Sequence, residues 1–494
     1  MHNQTMKSPR LLILLLLTLL LCLPSAAQNP KREFRGAWLH TVFQDQYHRQ
    51  STAQNKKYLT DQLDRLKAAG VNAVVFQVRP QADAFYPSKL EPWSRFLTDN
   101  GQEPSPRWDP LQFMIDESHA RGMELHAWLN PYRVTSSAKQ VLPKGHIYHK
   151  HPEWFVKYDG KTYFDPGLPE SRQFITDVVL DIVSRYDIDG IHFDDYFYPY
   201  PVAGKEFPDA KSFDKYGKGM KRDDWRRHNV DLLIQGLHEK ISAKKPWVVF
   251  GISPFGIWRN KTSDPRGSDT SGLQNYDALY ADVLLWAREG WIDYLLPQLY
   301  WDLEHKRASY LTLVDWWARN GQGRHVFIGQ DIGITMKTPD IAPSSEPTQL
   351  RHKLNLTRQA QAITGNCWWP GYSLTANQGG IADSLARNFQ STIALTPEYP
   401  WISRKCPAGV KGLAHKDGKL TWRMPSAKGS ADDAVKFVVY RFDSSSDISL
   451  DRPEAIQGIT WTNEFPATAP GVYVVTALSR VNQESLPSHK VIVK

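Results

Sequence analysis

The chain has 494 residues, too many for one ordinary domain and suited to a large domain plus a small one. Hydrophobic residues make up 41% and charged residues 23%, which excludes global disorder and permits a sizeable packed core. The formal charge is +8, yet no run of five or more basic residues occurs, so the pattern offers no support for a nucleic-acid partner. An ordinary solvated basic surface is the simpler reading, beside a mild attraction to anionic glycans.

In chain order, residues 1–27 read as an export signal. Lys7 and Arg10 form a basic start, residues 11–21 are apolar except for Thr18, and Ser25-Ala26-Ala27 supplies small residues for cleavage. The mature chain is expected to begin at Gln28 and to reach the periplasm or cell envelope of a bacterium, or to be secreted. Cys22 after Leu19-Leu20-Leu21 leaves a lipid anchor as an alternative, opposed by the bulk of Leu21 where a lipoprotein signal takes a small residue. No later segment holds the ~20 continuous apolar residues that a membrane helix requires.

Residues 28–400 alternate short apolar runs with longer amphipathic stretches. Strands are expected at 34–42, 73–78, 124–129, 190–194, 248–252, 294–300, 326–332 and 367–373. Helices are expected at 57–69, 110–121, 170–186, 224–240 and 278–289. Eight βα units over about 340 residues predict an α/β fold, a (β/α)₈ TIM barrel with enlarged loops. The rhythm breaks at Pro397-Glu398-Tyr399-Pro400-Trp401. Residues 401–494 then show short alternating runs at 419–423, 435–441 and 471–478, a small all-β sandwich resembling a fibronectin type III domain. Of three cysteines, Cys22 leaves with the signal, and Cys367 and Cys406 could pair in an oxidising compartment. No Cys/His cluster has zinc spacing, so neither a metal nor an organic cofactor is predicted.

Strands of a parallel barrel are buried on both faces and should be apolar, so polar residues inside them need a reason. Here they recur at period two near the strand ends: Gln77 and Arg79, then His126, Trp128 and Asn130, then His192 and Asp194, then Gln298, Tyr300 and Asp302. A lone histidine such as His126 or His192 is more readily a satisfied core residue. Four strands aiming polar groups at one mouth is what a barrel active site requires.

The sharpest signal is Asp189-Gly190-Ile191-His192-Phe193-Asp194-Asp195-Tyr196-Phe197-Tyr198-Pro199, an apolar strand ending in two adjacent carboxylates. Neighbouring carboxylates repel, so one tends to keep its proton near neutral pH. That splits the pair into an acid and a base, the chemistry of glycosidic cleavage. The bland alternative is a surface pair or a helix cap, but Tyr-Phe-Tyr-Pro does not read as the first turn of a helix. Consecutive acids resemble the Asp-Asp and Asp-Glu pairs of hexosaminidases, which use the substrate's own 2-acetamido group as nucleophile. On that analogy Asp194 orients the acetamide and Asp195 protonates the leaving oxygen. The rival arrangement keeps Asp194 as nucleophile or base and takes the acid from another strand, with Asp302 the candidate.

Tryptophan is over-represented, with 18 copies. Trp38, Trp128, Tyr196, Tyr198, Trp258, Tyr300, Trp301, Trp368 and Trp369 fall near strand ends, where about half are expected to line a sugar groove and the rest to pack the core. Arg259, on the loop 251–260, is matched either to a substrate carboxylate such as a lactyl group or to a structural ion pair. The substrate-binding set is therefore Gln77, Arg79, His126, Trp128, Asn130, His192, Tyr196, Trp258, Arg259, Gln298, Tyr300 and Trp301.

Several stretches together resemble the bacterial glycosyl hydrolase-like 10 family, the domain-of-unknown-function 187 group. They are Arg32-Glu33-Phe34-Arg35-Gly36-Ala37-Trp38, Phe76-Gln77-Val78-Arg79-Pro80, Ala127-Trp128-Leu129-Asn130-Pro131-Tyr132-Arg133, the Asp-Asp segment, Gly251-Ile252-Ser253-Pro254-Phe255-Gly256 and Pro297-Gln298-Leu299-Tyr300-Trp301. The resemblance implies a (β/α)₈ barrel, export to the envelope and glycosidase activity on peptidoglycan strands stripped of stem peptides. It also implies that a C-terminal fibronectin-like module and lipidation are common among such proteins. Two rivals remain: a hydrolase of a polysaccharide without acetamido groups, and a non-catalytic carbohydrate-binding envelope protein that retains the barrel.

Overall fold

The computed structural model describes residues 29–99, 101–341 and 347–494. The expected export signal and Cys22 lie outside the described residues. Eight parallel strands close into a barrel: β1 (Phe34–Leu39), β2 (Ala73–Arg79), β3 (Glu124–Leu129), β4 (Gly190–Phe193), β5 (Val249–Ile252), β6 (Tyr294–Leu295), β7 (His325–Asp331) and β8 (Ile363–Trp369). β8 pairs back onto β1. Around them lie α1 (Thr52–Ala68), α2 (Pro110–Ala120), α3 (Pro169–Arg185), α4 (Arg222–Lys244), α5 (Tyr310–Asn320) and α6 (Leu350–Gln359). Local signals start these helices. Ser51 and Gln54 form a reciprocal capping box at α1, and Asp109 caps α2 with Pro110 in its first turn.

The helices at 310–320 and 350–359 are not among those expected, β1 ends three residues early, and three further differences have a local cause. β6 pairs over two residues only, because Pro297 has no N–H to donate; Gln298 beyond it makes single bridges to Phe255 and Gly329. The helix expected at 278–289 starts at Val283, since Tyr280 takes a φ of +54° and Asp282 caps the helix instead. β8 lies four residues earlier than expected and stops before Pro370, after which Gly371–Thr375 is helical.

The barrel interior is a packed column with a polar thread. The ring of Phe34 stacks on that of Phe327 with centroids 4.1 Å apart. The Tyr294 hydroxyl sits 3.0 Å from Nδ1 of both His126 and His192. Trp38 donates its indole N–H to His192 Nε2 at 3.2 Å, and His126 Nε2 lies 3.5 Å from Glu124. Two glycines make room for these rings. A Cβ at Gly251 would stand 1.9 Å from Tyr294, and one at Gly190 would stand 2.6 Å from His126.

The C-terminal part forms β9 (Lys411–Lys416), β10 (Lys419–Arg423), β11 (Ala434–Phe442), β12 (Ile456–Thr460), β13 (Glu464–Pro466), β14 (Gly471–Ser479) and β15 (Val491–Val493). They build two antiparallel sheets, β9-β10-β13 and β12-β11-β14-β15. In β10 buried Leu420 and Trp422 alternate with exposed residues, the pattern of a strand with one face in the core. This sandwich closes the end of the barrel where the strands begin. Lys436 on β11 reaches Glu124 at 2.6 Å, and Trp461 stacks on His119 with centroids 4.5 Å apart. Cys367 is buried in β8 and Cys406 is exposed; both are free thiols, so the pairing left open by sequence is not made. Among the described residues no helix is long and apolar enough to cross a membrane.

Candidate active site

At the opposite end, where the strands finish, a cavity of about 300 Å³ is lined by Asp194 together with Trp38, Gln77, Trp128, Gln298 and Tyr300. Its side chains come from the ends of β1, β2, β3, β4 and β8 and from the segment after β6. That is the face where barrel active sites are built.

A run of amides fixes Asp194. Gln77 anchors the loop after β1, its carbonyl oxygen accepting the N–H groups of Thr41 and Val42 at 2.9 Å each. Its Nε2 donates to Asn130 Oδ1 at 2.8 Å, and Asn130 Nδ2 donates to Asp194 Oδ2 at 3.3 Å. Gln298 Nε2 and the Asp195 backbone N–H donate to Asp194 Oδ1 at 3.2 and 2.9 Å. Three N–H donors thus hold the carboxylate in one orientation, and among the described residues no lysine or arginine pairs with it. Arg133 also donates to Asn130 Oδ1, at 2.9 Å, while its guanidinium lies 5.3 Å from the centre of the Tyr196 ring.

Asp195 faces a different environment. It is 1% exposed, and its Oδ2 accepts the phenol of Tyr200. Burial, with the charge of Asp194 beside it, holds its carboxyl well above the ordinary carboxylate range. The adjacent acids are therefore unequal: an oriented carboxyl group at the cavity and a proton-holding neighbour behind it. The charge of Asp194 pushes the Tyr196 phenol up, and burial does the same for Tyr300, so both remain donors. Neither hydroxyl is hydrogen-bonded among the described residues. Burial depresses His40 to about 4, leaving its imidazole neutral at pH 7. The aromatic walls meet edge to face, Trp128 against Trp369 with centroids 6.1 Å apart and Trp38 against Trp369 at 6.4 Å.

Of the residues singled out from the sequence, Asp194, Gln77, Trp38, Trp128, Tyr196, Gln298, Tyr300 and Trp369 line the cavity, and Asn130 stands behind Asp194. Others do not reach it. Arg79 is turned away because the β2–β3 register shifts between Gln77 and Arg79, which breaks the alternation. It pairs instead with Glu91. His126 and His192 belong to the core column below the cavity, and the Tyr294 hydroxyl satisfies one nitrogen of each. Trp258 is buried and stacks on Trp316. Arg259 is held by Asp277 and Asp264 at 2.9 and 3.0 Å, away from the residues that line the cavity. Trp301 packs edge-on against Phe255. Asp302 sits in a turn outside the cavity, its carbonyl accepting the N–H groups of His305 and Tyr310. Tyr198 and Trp368 are core residues.

Sequence reasoning missed His40, Val42, Phe43, Arg133 and Ser253, which also line the cavity. Arg133 closes the Asn130-Pro131-Tyr132-Arg133 run, and Ser253 follows β5 directly, so a strand-end argument would have reached both. Phe43 carries no such signal. Its φ of +59° is a feature of the folded loop.

A family model described as glycosyl hydrolase-like 10 matches residues 33–346. The chain is 38% identical to the glycosyl hydrolase YngK of Bacillus subtilis (strain 168) over 477 residues, covering 93% of each. It is 37% identical to the glycosyl hydrolase DigH of Escherichia coli (strain K12) over 369 residues, covering 69% of this chain and 84% of the relative. Among solved structures, the glycoside hydrolase domain of PgaB from Bordetella bronchiseptica matches with a TM-score of 0.43 and 14% identity, over 72% of this chain and 99% of that one.

Proposed function

Because the chain belongs to the glycosyl hydrolase-like 10 family and is a glycoside hydrolase, we propose that it cleaves an N-acetylhexosamine-containing glycan, namely denuded peptidoglycan strands. The observation that carries the reading is Asp194, oriented by three N–H donors at an aromatic-walled mouth, with no lysine or arginine paired directly to it among the described residues. Asp194 orients and polarises the substrate's acetamide, or itself meets the anomeric carbon. Asp195 holds the proton that the leaving oxygen needs. Delivery of that proton requires the Tyr200 phenol to leave Asp195, since the carboxyl is otherwise sealed. The pyranose faces stack on the tryptophan walls.

Three further parts of the proposal rest on the sequence. The chain is exported to the cell envelope, residues 28–400 carry the activity, and residues 401–494 form an accessory module. The sheet orders β9-β10-β13 and β12-β11-β14-β15 support a fibronectin type III-like assignment for that module. The test is digestion of purified denuded glycan strands, followed by the appearance of new reducing ends. Asp194→Asn and Asp195→Asn should each lose about 10² or more in rate. Unchanged turnover in both variants would remove the proposed site. Inhibition by a thiazoline-type compound is the expected sign of acetamide participation, and indifference to it would favour a direct carboxylate mechanism.

A further inference from the structure

A second cavity, of about 340 Å³, lies beside the first, and the two share Phe43, Arg133 and Tyr196 as walls. Phe43 is the conspicuous member of that shared wall. It is 66% exposed, and its φ of +59° lies in the left-handed region that bulky side chains rarely adopt. Such a conformation persists only where the surroundings impose it. Here Gln77 clamps the N–H groups of Thr41 and Val42 immediately before it. The loop therefore presents a bare aromatic face between the two cavities.

The charges of the second cavity lean positive. Its lining includes Arg133, Lys161 and Asp159. Asp159 is matched by Lys205 at 2.5 Å. Lys161, half-buried on the hairpin strand Lys161–Phe164, makes no hydrogen bond or ion pair among the described residues. Arg133 spends Nε and Nη2 on Pro80 and Asn130 and leaves Nη1 without a hydrogen bond among them. Two cations thus border the space, and among its described lining residues they meet one carboxylate, Asp159, which Lys205 and Lys161 share.

We propose that the second cavity is a subsite for a sugar unit bearing a carboxylate, in the same groove as Asp194, with Phe43 and Tyr196 as stacking faces between the two positions. Lys161 and Arg133 recognise the carboxylate. This deepens the glycan reading above and rests on it. It moves the acid-recognising role, for which Arg259 was a sequence candidate, to Lys161 and to the Nη1 edge of Arg133.

The test is calorimetric titration of the full chain carrying Asp194→Asn with two probes. One is a tetrasaccharide of alternating N-acetylglucosamine and N-acetylmuramic acid. The other is the same tetrasaccharide with its carboxyls reduced to alcohols. The acidic probe should bind about tenfold tighter, and Lys161→Gln should collapse that preference toward parity. Phe43→Ala should weaken both probes together. Equal binding of the two probes, binding of neither, or a preference that survives Lys161→Gln would overturn the subsite. The hydrolase reading fails separately. Preferential binding without new reducing ends in the wild-type digest removes hydrolysis and keeps the subsite, whereas digestion without preference does the reverse.

Discussion

The two ends of the barrel treat a buried carboxylate in opposite ways. Where the strands begin, Glu124 is enclosed by Lys436 at 2.6 Å, Thr396 at 2.7 Å and Asn482 at 3.1 Å. Burial alone would push its carboxyl up, but Lys436 and His126 outweigh that and hold it well below the usual range. Where the strands end, the hydrogen bonds to Asp194 and Asp195 among the described residues come from N–H groups and a phenol, and Asp195 is pushed the other way. The functional group is the same at both ends, and the counter-charge decides the outcome. A matched carboxylate joins the barrel to the sandwich, while an unmatched pair stays available for proton chemistry.

Removing the match should have the largest effect. Lys436→Met leaves Glu124 buried and uncompensated, and should cost about 3–5 kcal/mol of stability in denaturant unfolding of the full chain. Replacing Glu124 as well, by Leu, should recover most of that loss. A single variant as stable as wild type would dissolve the contrast between the two ends.

The Asp195 effect is smaller and depends on pH. Its carboxyl is raised in the folded state, so above about pH 4 the folded chain keeps a proton that the unfolded chain has released. Stability therefore falls as pH rises, by up to about 1.4 kcal/mol per pH unit from this group, until the folded value is reached. Asp195→Asn should flatten that slope, seen as a stability gain over wild type that grows as pH rises above about 4. A gain that does not change with pH would contradict the proton-holding assignment.

Gln298→Ala removes one of the three donors on Asp194 and should lower kcat about tenfold with little change in unfolding midpoint. The smallest effect belongs to Asp302. Asp302→Asn should change turnover by less than about twofold, within ordinary surface tolerance. A hundredfold loss there would revive the acid from a separate strand.

Much of this arrangement is legible in the sequence. The βα rhythm predicted the barrel, and period-two polar residues at strand ends pointed to Gln77, Trp128, Asp194, Gln298 and Tyr300. The misplaced residues share a cause. Arg79 continued the alternation on paper, but a bulge in β2 reversed its face. Arg259 had the right chemistry for an acidic sugar, but Asp264 and Asp277 claim it first. His126 and His192 stood on the right face but at the wrong depth, in the column around Tyr294.

The order of residues along the chain determined the rhythm of strands and helices, the alternation along most strands, and that two acids directly follow β4. Those properties follow from local periodicity and turn chemistry, which act over a few residues. Tertiary structure alone decided which carboxylate has a counter-ion, which of the adjacent acids is sealed, and that Phe43 stands between two cavities. Each depends on groups distant in sequence, such as Lys436 opposite Glu124 or Gln298 opposite Asp194, brought within a few ångströms by closure of the barrel. Electrostatic and burial effects act through space, so no pattern along the chain records them.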